Sequence, residues 1–201
     1  MPDDFSTWFL GKEFSTDWTS KRFPLWATLF SARRDEIVNV LEIGSWEGRS
    51  AIFFLNFFPD CRMTSIDTFA GSAEHVENSG WAQLVPDCER RFDANLAEYA
   101  PRVEKIKAKS CVGLARLATD FRRFDFIYVD GSHYSSDVYL DAAAAWPMLA
   151  QGGILVFDDY EWPGMPTERE RPKLGIDAFL SGQQGQYREL HRGYQIVIER
   201  S

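Results

Sequence analysis

Basic charge is the first thing this chain is short of, with 22 Lys and Arg against 30 Asp and Glu and a formal net charge of −8. A surface that neutralises a phosphate backbone needs the opposite sign, so nucleic acid is not the expected partner. Cysteine is scarce as well. Cys61, Cys88 and Cys111 are odd in number and show no CxxC spacing, which gives neither a disulfide framework nor a zinc site and suits a reducing cytoplasm. No apolar run is long enough to span a bilayer, and the opening MPDDFSTWFLGKEF leads no positive start into an apolar stretch. Neither a membrane nor a secretory leader is therefore expected. Repeats, low-complexity tracts and Pro/Gly/Ser linkers are also missing, so residues 1–201 read as one domain, with 1–30 as an N-terminal cap or lid segment.

What is present is enough for one substantial core. Hydrophobic content of 45% is ordinary, but sixteen Phe and seven Trp make the chain rich in aromatics, and part of that surplus is a candidate lining for a binding site. Strand-like apolar runs alternate with helical patterns. IVNVLEIG (37–44) leads through a glycine turn into a helix around GRSAIFFLNFF, then into a strand, RMTSID, ending at Asp67. A helix near CERRFDANLAEYA, a strand at VEKIKAK and a helix at CVGLARLAT follow, and FDFIYVD makes a fourth strand. The Ala-rich SSDVYLDAAAAWPMLA reads as a helix stopped by the Gly pair that opens a fifth strand, GGILVFDD. After a last helix at PKLGIDAFLSG, YRELHRGYQIVIER reads as a hairpin around Arg192 and Gly193. The expected architecture is α/β: a Rossmann-like, doubly wound sheet of about seven strands, mostly parallel, with an antiparallel C-terminal hairpin.

Two features mark the strand ends, where ligands collect in open parallel sheets. In LEIGSWEGRS the chain turns through Gly44 and Gly48 into a helix whose free N–H groups can receive an anionic ligand group. Trp46 stands where the dinucleotide fingerprint GxGxxG needs its second Gly, which weakens a nicotinamide or flavin reading. Asp67 ends the second strand, where an acid can accept ribose hydroxyls, and with the turn it suggests an adenosine-containing cofactor. The plainer alternative is that Gly44 and Gly48 only shape a tight turn and Asp67 only caps a strand. The second feature is acidic: Asp130 follows the fourth strand, and Asp158 and Asp159 follow the fifth. Carboxylates at adjacent strand ends repel one another unless a cation joins them.

Taken together, LEIGSWEGRSAIFF, SIDTFAGS, YVDGSH and GGILVFDDYEW resemble the class I S-adenosylmethionine-dependent methyltransferases, above all a small bacterial group with an EIGS.EGRS turn and a VDGSH…DDY pair. The resemblance runs from about Trp18 to the final hairpin. It implies that Glu42, Gly44, Ser45 and Gly48 form the cofactor turn, that Ser50 helps hold the methionine carboxylate and that Asp67 holds the ribose. Lys109 and Ser110 would flank the adenine, although the acidic residue usual there is absent, and Asp130 would close the cofactor site from the fourth strand. The DGSH and DD spacing is similar to that of metal-dependent O-methyltransferases. By that likeness Asp130, Asp158 and Asp159 would bind Mg2+, with Mn2+ or Ca2+ as substitutes. Catechol-type members carry a basic lysine three residues after the first ligand. His133 has that spacing, and an imidazole can act as a base near neutrality. Sugar methyltransferases of this kind place an Asp two residues after the first ligand, where this chain has Ser132.

The resemblance thus implies methyl transfer from S-adenosylmethionine to a small-molecule hydroxyl, of sugar or phenolic natural-product type, with Asp130 and His133 at the reacting centre. Two alternatives stay open: a metal-independent enzyme in which Asp130 and Asp159 position the acceptor, and a nucleoside-binding module without turnover. A structural role for the acids, with His133 as a helix-start residue, is the plainest reading of all. Of Trp8, Trp18, Trp26, His75 and Trp81, packing is expected for most, with His75 in a loop. His191 reads as a surface residue and ERERPK as a solvated loop. YEWPGMPTERERPK could form a lid or an intersubunit arm, and homo-oligomer formation stays open.

Overall fold

The computed structural model describes residues 4–72 and 81–201. His75 lies outside them. Seven strands form one sheet in the order β3-β2-β1-β4-β5-β7-β6: β1 (Asn39–Ile43), β2 (Arg62–Asp67), β3 (Val103–Lys107), β4 (Phe124–Val129), β5 (Leu149–Phe157), β6 (Tyr187–Arg192) and β7 (Ile196–Arg200). β1 to β5 pair in parallel, while β7 pairs antiparallel with both β5 and β6, so the expected mixed sheet with its C-terminal hairpin is what forms. The strand order reverses between β1 and β4, which is where an open α/β sheet leaves a crevice.

Both faces of the central strands are apolar, and period-2 alternation divides them between two cores. Val40, Met63, Phe126, Tyr128, Val156 and Val197 face one side, where α1 (Phe23–Phe30), α2 (Arg49–Phe57) and α3 (Val85–Leu96) pack. Leu41, Ile66, Ile127, Leu155 and Ile198 face the other, covered by α4 (Ser110–Thr119), α5 (Ser135–Ala145) and α6 (Pro172–Gly182). Most of the aromatic surplus goes into the first core. Trp26 stacks on Phe54 at 4.8 Å and meets Tyr128 at 5.4 Å, and Phe30, Phe54 and Phe58 converge on Phe126.

The sequence reading needs correcting in two places. The Gly pair does not stop the Ala-rich helix. α5 ends at Ala145, a 3-10 turn spans Trp146–Met148, and β5 already begins at Leu149. Pro147 has no N–H to donate and clashes with the preceding turn, so it breaks the helix first. Gly152, at φ +72°, serves instead in an irregularity of β5, whose pairing with β4 jumps from Phe124↔Leu149 to Phe126↔Ile154. ERERPK is not all loop either. Glu168–Glu170 form a 3-10 turn closed by a Thr167–Glu170 capping box, and Pro172 opens α6.

The N-terminal segment is fastened to the domain. Phe5, Trp8, Phe9 and Phe14 pack on the first core. Beyond them the Lys12 ammonium donates to Asn95 O (2.7 Å), and Glu13 N–H to Asn95 Oδ1 (2.8 Å). Ser15 donates through its N–H (2.6 Å) and its hydroxyl (2.7 Å) to the buried Glu47 carboxylate, which also accepts from Arg91 at 2.8 Å. These bonds carry residues 16–22 across the carboxyl ends of the strands. His191 sits partly exposed on β6.

Candidate functional site

A cavity of about 810 Å³ opens at the crevice and takes its walls from the loops after β1, β2, β3, β4 and β5. That is within the range of about 300–1,000 Å³ usual for ligand sites.

The β1 turn is held by backbone geometry. Gly44 has φ +85°, donates to Ile66 O at 2.9 Å, and sits so close to β4 that a Cβ there would fall 2.0 Å from Asp130 O. Only glycine allows that approach. Asp67 binds the turn directly: Oδ2 accepts the N–H groups of Ser45 (2.7 Å) and Trp46 (2.8 Å), and Oδ1 accepts that of Phe69 (2.7 Å). Three of a carboxylate's roughly four acceptor positions are therefore used within the protein, which leaves Asp67 at the cavity wall with room for one further donor. Ser45, Ser50 and Gly44 line the cavity beside it.

Glu42 and Gly48 stand behind this surface. The Glu42 carboxyl is fully buried, accepts the Ser50 hydroxyl at 2.5 Å and the Ser65 hydroxyl at 3.2 Å, and is pushed up to about 7 by its burial. Gly48 starts α2 at φ +82° and faces Phe92 and Leu96. Neither residue lines the cavity, so both support the turn. After β3, Lys109 and Ser110 lie on the wall at the start of α4, together with Ala108 and Cys111.

The acids meet at the other end. One ligand atom each from Asp130, His133 and Asp159 lies within 4.8 Å of the others. His133 Nε2 is 2.6 Å from Asp159 Oδ2, and its ring packs on Trp162 with centroids 4.4 Å apart. Asp159 Oδ1 accepts the Tyr194 hydroxyl at 2.5 Å. Asp159 itself takes the left-handed backbone at φ +55°, a strained conformation of the kind that collects at functional sites. Asp158 lines the same cavity but stands outside that group of three. Its Oδ1 accepts the Asp159 N–H at 2.7 Å and its Oδ2 the Tyr128 hydroxyl, which is also 3.1 Å from Asp130 Oδ2. One hydroxyl proton thus lies between two carboxylates.

Electrostatics at this end are unbalanced. Burial, then the charges of Asp158 and Asp159, lift Asp130 well above the carboxylate range. Burial and Asp159 lift Asp158 to about 6. Burial acts on Asp159 in the same direction, but the His133 hydrogen bond and charge, with Tyr194, outweigh it and hold this group low. A dication fits such a place. Its charge would offset the mutual repulsion, and two or three carboxylates with an imidazole at the edge form a donor set that suits Mg2+ or Mn2+.

Several cavity residues carried no recognisable signal in the sequence. Tyr194 was one hairpin residue and Asp141 one acid on a helix, and behind the wall the buried Tyr128 was one apolar letter within a strand. The Arg22 guanidinium sits 4.0 Å from the Tyr194 ring centroid, and Lys21, Arg22, Trp18 and Trp81 line the cavity with Trp162. Trp18 meets Trp81 at 5.1 Å and Trp46 at 5.6 Å, whereas Trp26 is fully buried and Trp8 packs on the core.

Comparison with known proteins puts this mixed sheet, with its glycine turn at the switch point, in a class of enzyme. Residues 41–160 match the Methyltransferase domain family, and the chain belongs to it, as a class I S-adenosylmethionine-dependent methyltransferase. The mycinamicin VI 2''-O-methyltransferase of Micromonospora griseorubida is 28% identical over 162 residues, 73% of this chain and 35% of that protein. Among solved structures, the MycE methyltransferase of mycinamycin biosynthesis, in complex with Mg and SAH, superimposes with a TM-score of 0.64 at 21% identity, over 98% of this chain and 53% of its own. The O-methyltransferase TomG of Streptomyces achromogenes, in complex with SAM, gives 0.64 at 18% identity, over 92% and 82%. The chain spans about a third of the curated relative and half of MycE. Among the described residues no helix is long and apolar enough to cross a membrane.

Proposed function

We propose that this domain transfers the methyl group of S-adenosylmethionine to a hydroxyl of a small molecule, of sugar or natural-product type, with a divalent cation at the acid end of the cavity. The observation that carries this reading is the convergence of Asp130, Asp159 and His133 in the same cavity as the β1 turn. Asp130 and Asp159 would hold the cation, with Asp158 as the third carboxylate and Mg2+ as the favoured ion, as in the Mg-containing MycE structure. Such an ion supplies Lewis acidity, lowering the proton affinity of the acceptor oxygen.

The chain's own residues do the rest. Ser45, Ser50 and Asp67 seat the cofactor, with Glu42 and Gly48 supporting the turn. S-adenosylmethionine, when bound, would supply an electrophilic methyl group, its carbon–sulfur bond breaking with the electron pair left on sulfur as the acceptor oxygen bonds to the carbon. The hydroxyl proton passes to His133, whose ring is oriented by Asp159 and packed by Trp162. Residues 16–22 close the cavity mouth as a cap, which supports the reading of the N-terminal segment as a lid over the acceptor.

A second reading is favoured by the 2.6 Å His133–Asp159 contact, a dyad able to take a proton with no ion present. Calorimetric titration separates the two. Under the metal reading, Mg2+ or Mn2+ binds the wild-type protein and not D159A, while S-adenosylhomocysteine binds both. Absence of any Mg2+ or Mn2+ binding leaves the dyad.

A further inference from the structure

One buried acid of the cavity wall remains without a role. The buried stripe of α5 runs through Val138, Asp141, Ala142 and Ala145, a 3.6-period face in which Asp141 stands where an apolar residue belongs. It is 3% exposed. A carboxylate is almost never buried to that degree without a partner. Its protein partner is the Ser110 hydroxyl at the start of α4, and burial nevertheless pushes it up to about 6. One hydroxyl uses one of roughly four acceptor positions. Asp141 also lines the cavity, and its Oδ2 lies beside Gly131, where a Cβ would stand 3.4 Å away.

Its place in the cavity is set by topology. The acid cluster follows β4 and β5, the turn follows β1 and Asp67 ends β2, so a nucleoside running away from the acids ends beside β3 and the start of α4. The apolar side chains of Ile66, Ala108 and Leu140 are among the residues that line the cavity. Ser110 and Cys111 provide first-turn N–H groups there, since the helix bonds to Lys109 O begin only with Val112 (3.0 Å) and Gly113 (3.1 Å). Residues 108–111 contain no acid. α5 follows β4 in the chain, yet through Asp141 it meets Ser110 at this end.

We propose that Asp141 accepts a hydrogen bond from the 6-amino group of the cofactor's adenine, while α4 N–H groups face the ring nitrogen beside it. Asp141 is then the residue that selects a 6-amino purine over a 6-oxo purine. The proposal rests on the cofactor reading above and assigns its base specificity to one side chain. A carboxylate accepts from an amino group and repels a carbonyl oxygen, whereas an amide or a hydroxyl can do either.

The test is a pair of binding titrations on the intact protein, with S-adenosylhomocysteine and with S-inosylhomocysteine, its 6-oxo counterpart. The wild type should bind the adenosyl compound tighter by about 100-fold or more, since a site built to pair a donor rejects the analogue that lacks it. In D141N the ratio should fall to within about tenfold, mostly because the inosyl compound gains affinity. D141S, which also offers either polarity, should do the same and serves if D141N fails to fold. An unchanged ratio in a folded variant that still binds S-adenosylhomocysteine, or a wild type that does not discriminate, overturns the assignment and leaves the methyltransferase reading standing. A wild type that binds neither compound overturns both.

Discussion

The two ends of the cavity are built on opposite terms. At the β1–β2 end the protein satisfies its own charges: Asp67 accepts three backbone N–H groups, Glu42 two serine hydroxyls, and Gly44 presses against the Asp130 carbonyl. At the β4–β5 end three carboxylates lie together, with one tyrosine proton between two of them and Asp159 in a left-handed conformation. The first end is a finished mould that a ligand enters. The second is left incomplete, so that an occupant adds the missing charge.

If that contrast is right, the ends should fail differently. The largest effect is expected from emptying the acid end. Excess EDTA, or D159A, should abolish methyl transfer, by about 10³-fold or more, with S-adenosylhomocysteine affinity almost unchanged and with Mg2+ restoring the EDTA-treated protein. Full turnover in EDTA would mean that this end needs no cation.

Removal of the base comes next. H133A should lower the rate at neutral pH by about 10²–10⁴-fold, with partial recovery at higher pH as the acceptor ionises by itself. A pH–rate profile of H133A that parallels the wild type at normal height would move the base elsewhere.

The finished end should break as structure rather than as chemistry. G44A places a methyl group 2.0 Å from Asp130 O at φ +85° and should cost about 3 kcal/mol or more in a denaturant melt, with cofactor binding lost alongside. D67A should weaken cofactor binding by about 1–3 kcal/mol, the usual worth of a charge-assisted hydrogen bond. Calorimetry that finds full affinity in D67A would leave Asp67 as a strut of the turn alone.

The smallest effect sharpens the contrast by pH. Glu42 is held at about 7 by burial, above the ordinary glutamate value of about 4.3. Its folded state prefers the proton, so its favourable contribution is complete below that ordinary value and is lost as pH rises through 7. E42Q stays neutral throughout. The melting temperature of E42Q relative to wild type should therefore climb between pH 4 and pH 8, by about 2–4 °C for each 1 kcal/mol that is lost. A constant difference would show that Glu42 does not titrate in this window.

Which parts of this were legible beforehand follows a physical line. The succession of strands and helices, the hairpin and the turn at Gly44 depend on apolar runs and on φ angles open to glycine, both local properties that a string of residues displays. The end of α5 was misread because Pro147 and the Gly pair offered two stop signals and only their relative positions decide between them. Asp130, Asp158 and Asp159 could be named as a set from their strand-end positions, but not which of them face one another.

By itself, then, the sequence determined the α/β alternation, the glycine turn after β1 and the presence of acids after β4 and β5, because these rest on backbone preference and on burial of whole faces. Only the tertiary structure decided that Asp159 meets His133 while Asp158 is tied to Tyr128, that Asp67 holds the turn it borders, and that Asp141 reaches Ser110 across two helices. Those pairings join residues up to 31 positions apart, as in Ser110 with Asp141, through side-chain directions set by packing. No local pattern carries that information.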